Sequence, residues 1–381
     1  MTMKLNDDLV VEIISHLPLK LAIQCKLISK NFNRWISNPK FSQTLFQHDQ
    51  KVWTLAFAST SHGVSRDFQK IFRNLIIPNI HHQTSLFRFS VVAACKGLLL
   101  LVFHEVGTFC VFNPITRAHQ LIPYPKHYEH KRIGDAGLFV DYPTSDQYIL
   151  VTVDWLDEGK GYNFQVLSSK ERSGLWREVQ FRMTPGSNIK PTYVHYSLHW
   201  LTSGNRVLAF DAKREEATIL DPPEFLNIHN NIHNNPKGRR IRKKLYCSYE
   251  KLVMVQGQLT LVRTYKKSTM IAAYDCESSN WRVSPTLEKT IWFVLPICID
   301  GKQVLFLVGG GYMYEYDSEI NTLKKPAVCN EEYGIPGVTY SFKPSLAPVH
   351  ETLSRTVDAK HLPGITATLD ELRRCITKGI N

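Results

Sequence analysis

The 381-residue sequence has eight cysteines, at 25, 95, 110, 247, 276, 298, 329 and 375, yet no C-x-x-C pair, and most of them sit inside apolar segments. Free cysteine in such surroundings behaves as a small hydrophobe, so this pattern argues against a zinc site and for a reducing compartment. Long hydrophobic runs are also missing. The longest, Val91 to Phe103, is interrupted by Lys96 and Gly97 and falls short of the ~20 residues that span a bilayer. The first 20 residues carry Asp7, Asp8 and Glu12 where a secretory leader needs a cationic start and an apolar middle. The expectation is a soluble protein of the cytoplasm, the nucleus or both, without membrane contact.

Catalytic signatures are equally scarce. There is no G-x-S-x-G nucleophile elbow and no H-E-x-x-H helix. His195 and His199 are two strand alternations apart, a spacing that supports no metal-assisted chemistry on its own, and His81, His82, His127 and His130 fall in expected loops. Gly309-Gly310-Gly311 lacks the Lys-Ser/Thr that completes a phosphate-cradling loop and reads as a tight connection between strands. No cofactor and no metal ligand set follow from these residues.

What the chain does have is a sharp change of period. In residues 1–45 Asn6 can cap a helix whose apolar positions are Leu9, Val10, Ile13, Ile14 and Leu17, stopped by Pro18. A second helix runs through Cys25 and Leu27. A third is capped by Ser29, carries Phe32, Trp35 and Ile36 on one side and is expected to end at Asn38-Pro39. Three helices in about 40 residues bury too little surface to be very stable alone, so the module should lean on a neighbour.

From about residue 50 to 350 short runs of Val, Phe, Tyr, Leu and Thr alternate with Gly, Pro, Asn and Asp clusters, the pattern of many antiparallel strands. Within them a unit recurs: alternating strand, aromatic, Asx or polar turn, second apolar strand. It is found in CVFNPITRAHQLI from Cys110, FQVLSSKERSGLWREV from Phe164, VLAFDAKREEATIL from Val207, IAAYDCESSNWRV from Ile271 and MYEYDSEINTLKK from Met313. Their starts are 54, 43, 64 and 42 residues apart, the range of a four-stranded propeller blade with variable loops. The predicted fold is mainly β with a small α module: an N-terminal three-helix unit followed by a closed β-propeller of six blades, with later chain completing an early blade. Residues 351–381 form a tail in which Thr368 and Glu371 make a capping box for a short helix bearing Leu369, Leu372, Cys375 and Ile376.

The net charge is +12, from 46 Lys plus Arg against 34 Asp plus Glu. Half of it lies in one segment, where Lys237, Arg239, Arg240, Arg242, Lys243 and Lys244 follow a tandem Asn-Ile-His-Asn. Three roles compete for this segment: a solvated loop, a localisation signal and a nucleic-acid contact. Aromatics that would stack on bases are absent from it, which ranks nucleic acid last.

Residues 5–41 resemble an F-box. The match is carried by Leu5, Asp7, Asp8, Leu9, Glu12, Ile13, Leu17, Pro18, Cys25, Ser29, Lys30, Phe32, Ile36, Pro39 and Phe41; Asn6 and Phe32 depart from the residues usual there, Pro and Trp. The remainder is similar to the F-box-associated, kelch-like region of plant F-box proteins, through Ala94 to Leu99, Phe112 to Arg117, Leu198 to Leu201 with Leu208 to Asp211, and Tyr340 to Leu346. The resemblance implies a non-catalytic substrate receptor: Leu5, Leu9, Glu12, Ile13, Leu17, Pro18, Leu21, Cys25, Ser29, Lys30 and Phe32 would bind a Skp-type adaptor and through it cullin and RING subunits, and the propeller would recruit an unidentified protein for ubiquitination. Two rivals come from other classes. A propeller oxidoreductase or sugar-processing enzyme needs a convergent metal or carboxylate constellation, and a basic RNA-binding propeller needs steep salt dependence.

If the basic segment only steers an acidic target, deleting residues 228–244 leaves folding and adaptor binding intact and weakens target association mainly at low salt, measured by titration at two ionic strengths. Loss of target binding at every ionic strength would make the segment the reader itself.

Overall fold

Asn6 opens the first helix as expected. Its side chain accepts the amide of Asp8, and Asp7 and Asp8 place negative charge against the positive end of α1 (Asp7–Ser15). Pro18 separates it from α2 (Leu19–Gln24), which tightens into a 3-10 turn at Cys25–Leu27. The Ser29 hydroxyl then accepts the Phe32 amide at 3.3 Å to start α3 (Lys30–Ile36). One expectation needs correction here. Asn38-Pro39 do not only end a helix but open another, α4 (Pro39–His48): the Asn38 carboxamide accepts the Lys40 amide at 2.9 Å, and proline is suited to the first helical position.

The computed structural model describes residues 6–48, 52–58, 75–76, 87–125, 136–155, 162–171, 175–181, 192–194, 197–202, 206–221, 223, 247–265, 268–284, 286, 291, 293–299, 302–309, 312–317, 322–324, 327–328, 336–349 and 357–380. Leu5, His195 and the basic segment from Lys237 to Lys244 lie outside the described residues.

After the helices come β1 (Trp53–Ala58) and β2 (Leu75–Ile76), then four meanders: β3 (Phe89–Cys95), β4 (Leu98–Phe103), β5 (Thr108–Phe112), β6 (His119–Pro123); β7 (Ala136–Val140), β8 (Tyr148–Trp155), β9 (Tyr162–Ser168), β10 (Arg177–Phe181); β11 (Thr192–Val194), β12 (Ser197–Leu201), β13 (Val207–Asp211), β14 (Glu216–Leu220); and β15 (Cys247–Val255), β16 (Gln258–Tyr265), β17 (Ser268–Asp275), β18 (Asn280–Val283). A fifth contains β19 (Phe293–Ile299), β20 (Lys302–Gly309), β21 (Tyr312–Asp317), β22 (Thr322–Leu323) and β23 (Ala327–Val328). The last strand, β24 (Pro336–Phe342), pairs with β1, so the final sheet runs β24-β1-β2 and is made from both ends of the β region. The strands β3, β7, β11, β15, β19 and β24 touch one another in turn, and contacts of β24 with both β19 and β3 close the ring. This is a β-propeller arrangement of five sheets of four or five strands and one three-stranded sheet.

The recurring sequence unit is the outer hairpin of each full blade. In β5–β6 the Asn113 side chain accepts the amides of Ile115 and Thr116; in β13–β14 Asp211 accepts those of Lys213 and Arg214; in β17–β18 Asp275 accepts that of Glu277. Four residues after each Asx, Arg117, Glu215 and Ser279 adopt positive φ, the left-handed residue that turns the chain back into its partner strand.

Strand β4 explains the longest apolar run. All six residues from Leu98 to Phe103 are buried because each blade is covered on both faces. Leu98, Leu100 and Val102 join the core shared with β7–β10, and Leu99, Leu101 and Phe103 face the other way. Between β7–β10 and β11–β14 the rings of Phe164 and Phe210 stack with centroids 4.5 Å apart, against buried Trp200.

The C-terminal tail differs from expectation. The helix is not short: α5 (Leu362–Ile380) starts well before Thr368, which lies inside it and bonds back to the Gly364 carbonyl at 2.8 Å. Its beginning is set by Asp358, whose carboxylate accepts the Lys360 amide ahead of a 3-10 turn at Ala359–His361. Leu369, Leu372 and Ile376 share its buried face, as the apolar spacing implied, while Cys375 is only partly covered.

Truncating Phe210 to Ala removes half of the inter-blade stack and should cost about 3–5 kcal/mol of stability, read as a lower denaturant midpoint. A loss below about 1 kcal/mol would mean that the blades are not held together by this core.

Candidate functional site on the helical module

The helical module has two faces with opposite fates. Ile14, Ala22, Ile36, Phe41 and Leu45 are buried together with Ile115 and Leu346 of the β region. On the other side Leu9, Ile13, Leu21, Leu27 and Ile28 are exposed, Leu27 to 89% of its surface. They are five of the nine large exposed apolar side chains among the described residues, although the module is a small part of the chain. A single exposed leucine needs no explanation, but a cluster of this kind marks a surface that something covers.

Each face follows from local spacing. Leu9 and Ile13 are four residues apart on α1 and therefore stacked on one side, with Ile14 rotated inward. Glu12 is exposed beside them, its carboxylate 3.1 Å from the His16 ring. Leu21 on α2, Leu27 in the 3-10 turn and Ile28 just after it are exposed as well. Pro18, Ser29 and Lys30 border them at the surface. Ser29 acts through the backbone as a cap. Leu17, Cys25 and Phe32 are instead partly buried and pack on the inner cluster, with the Phe32 ring 5.3 Å from that of Trp35. The sequence did not single out Ile28, which follows the 3-10 turn out of the i, i+4 register that marks an amphipathic helix.

The inner face rests on a platform built from three sequence-distant motifs. Asn113, fully buried, donates from its amide nitrogen to the carbonyls of Ser345 and Ala347 at 3.1 and 2.8 Å while its oxygen holds the turn that presents Ile115. Ser345 donates to the Lys96 carbonyl at 2.6 Å. It crosses so close to Gly97 that a Cβ there would lie 2.3 Å from its hydroxyl, and Gly97 also has φ +84°, so glycine is required twice over. Leu346 is thereby pinned beneath the helices. Tyr142, whose hydroxyl is pushed up by burial, bonds to Ser42 of α4 and ties the module to the β7–β8 turn as well.

Other candidate sites do not assemble. Among the described residues no group of three or more His, Cys, Asp or Glu is placed to hold a metal ion. His199 is buried in β12 with Nδ1 3.3 Å from the Thr192 carbonyl. Gly309 pairs directly with Tyr312, as a tight connection between strands requires. Burial pushes the Cys95 thiol up to about 12 and the Cys110 thiol higher still, which removes both as nucleophiles near neutral pH. No helix of the described residues is long and apolar enough to cross a membrane.

Comparison with known proteins agrees with the two-part architecture. A family model described as the F-box domain matches residues 3–44, a segment that includes α1–α3 and the first part of α4. Curated relatives in Arabidopsis thaliana include the putative F-box protein At1g46840, 24% identical over 267 residues, which cover 62% of this chain and 56% of the relative. The putative F-box/kelch-repeat protein At1g20790 is 25% identical over 57% of this chain and 50% of its own length, and the F-box protein At5g07610 is 24% identical over 57% and 56%. The chain spans about half the length of these relatives. The N-terminal module is thus an F-box domain with a β-propeller arrangement behind it, and the proteins that the chain resembles are plant F-box proteins.

Asn113→Ala would leave two buried carbonyls and two turn amides without their partner, a loss of at least about 2 kcal/mol. A fall in thermal midpoint, together with faster amide exchange in the Ser345–Val349 segment, is the expected result.

Proposed function

We propose that the chain is the substrate-recognition subunit of an SCF-type ubiquitin ligase, its F-box docking a Skp-type adaptor and its propeller recruiting the target. The observation that carries this reading is the exposed stripe of Leu9, Ile13, Leu21, Leu27 and Ile28, turned away from a propeller that already covers the opposite face. A helical partner laid across that stripe would bury it in the manner of helix-in-groove recognition. Chemistry would belong to the cullin and RING subunits reached through the adaptor. This chain would supply proximity, holding a target lysine where transfer can occur.

Topology supports a division of the propeller's two ends. The turns that touch the platform, at Lys96-Gly97, Asn113–Arg117 and Tyr142, all lie at one end of the blades. The target would be read at the other end, by connections such as β4–β5 and β12–β13, since loops on a rigid scaffold are where binding residues concentrate.

Fully burying an isoleucine or leucine side chain is worth about 1.5–3 kcal/mol each. Replacing Ile13 and Leu21 together by Glu should therefore weaken adaptor binding at least ~100-fold, while the thermal midpoint falls only slightly because about half of each residue's surface is already in water. Leu17→Ala is the informative contrast: Leu17 packs inward, so its loss should lower stability first. Undiminished adaptor affinity in the Ile13/Leu21 double variant, measured by calorimetry with purified adaptor, would reject the assignment.

A further inference from the structure

Most neighbouring blades in this ring meet directly, side chain against side chain. The junction between the β24-β1-β2 sheet and the β3–β6 sheet is different, because α5 lies in it. Leu369, Leu372 and Ile376 are buried among Leu55 and Ile76 of one sheet and Leu99 and Phe103 of the other. The helix is seated closely at both ends. An added Cβ on Gly364 would come within 2.5 Å of the Phe87 ring, just ahead of β3, and one on Gly379 within 2.7 Å of the Ile76 side chain of β2, so both glycines stand at close contacts of the helix.

The end of this helix reaches further. Ile380 packs on the junction core and also on the separate cluster beneath the F-box, where Ile14, Phe41 and Leu45 meet Ile115 and Leu346. One residue thus belongs to both cores. We propose that α5 is a strap that sets the angle between the F-box helices and the propeller, filling the gap between the ring's closing sheet and its neighbour and holding the module through Ile380.

The two parts of the chain are otherwise joined by a covalent link at one point and by a platform resting mainly on β3–β8. A module held only there can rock about that contact. A third point of support, delivered by the chain's own C-terminal helix, removes that freedom. For a receptor the consequence is geometric: the position of a bound target relative to whatever the F-box holds would depend on residues that touch neither partner. This goes beyond adaptor recognition and would hold whichever protein covers the exposed stripe.

The test uses the full chain without partners, with spin labels attached through a keto amino acid at the exposed positions Asn31 of α3 and Arg282 of β18. Ile380→Asp puts a carboxylate into the shared joint but leaves Leu369 and Leu372 in place. It should broaden the inter-label distance distribution roughly twofold, as expected when a local contact opens without global unfolding, while thermal unfolding stays a single cooperative transition well above the temperature of the measurement. Lys378→Ala, on the exposed side of the same turn, should leave the distribution as narrow as in the wild type. A narrow distribution in Ile380→Asp overturns the proposal, and so does equal broadening in Lys378→Ala. Adaptor affinity, measured in parallel, should not change in Ile380→Asp, which separates this inference from the docking role of Leu9 and Ile13.

Discussion

The ring depends on the antiparallel pairing of β1 with β24, from Trp53 opposite Phe342 to Ala58 opposite Pro336. Without it, five meanders would form an open arc whose end blades leave an apolar face uncovered, and such patches invite association with other chains. With it, the first strand after the helices is fixed beside the last strand of the chain, and three consequences follow in space. The F-box emerges at one end of the blades, the segment 343–349 crosses that same end to reach Asn113, and α5 returns to fill the junction that the three-stranded sheet leaves. Pairing residues 278 to 289 positions apart makes for slow folding, and the apolar burial around α5 contributes to the stability of the closed form.

The helical module shows how one small unit can serve two surfaces. Four short helices bury too little area to stand alone, and the module resolves this by placing Phe41 and Leu45 on the propeller rather than by enlarging its own core. That arrangement frees Leu9, Ile13, Leu21, Leu27 and Ile28 from structural duty. An unassisted three-helix core would need some of them inside. The exposed stripe is therefore a consequence of having a platform, and the platform is a consequence of Asn113, Gly97 and Ser345 holding two distant turns together.

What could be read from the sequence was what is local. The five strand-turn-strand units are hairpins in the structure, and in three of them an Asx residue and the left-handed residue four positions later specify the turn within a few residues. The caps at Asn6 and Ser29 are local in the same sense. Features that rest on distant partners were hidden. Asn113 stood out in a motif, yet its two carbonyl partners lie 232 and 234 residues away. The Thr368/Glu371 pair looks like a helix start, but α5 begins earlier, at Leu362: proline is tolerated in a first turn, and Gly364 makes room for Phe87. Asn38-Pro39 can stop one helix and start the next, and only tertiary burial of Phe41 and Leu45 decides that it does both. Leu17, Cys25 and Phe32 share the F-box pattern with Leu9 and Ile13, but pattern alone does not say which apolar residues face in.

The central claim is that one face of α1–α3 binds a partner while the other is held by the propeller. Amide hydrogen exchange of the full chain with and without a purified Skp-type adaptor tests it most directly. The account predicts new protection confined to residues 7–36, strongest around Leu9, Ile13, Leu21 and Ile28, with exchange in the blades and in 343–349 unchanged. Protection that appears on the propeller and leaves α1–α3 as exposed as before would contradict it.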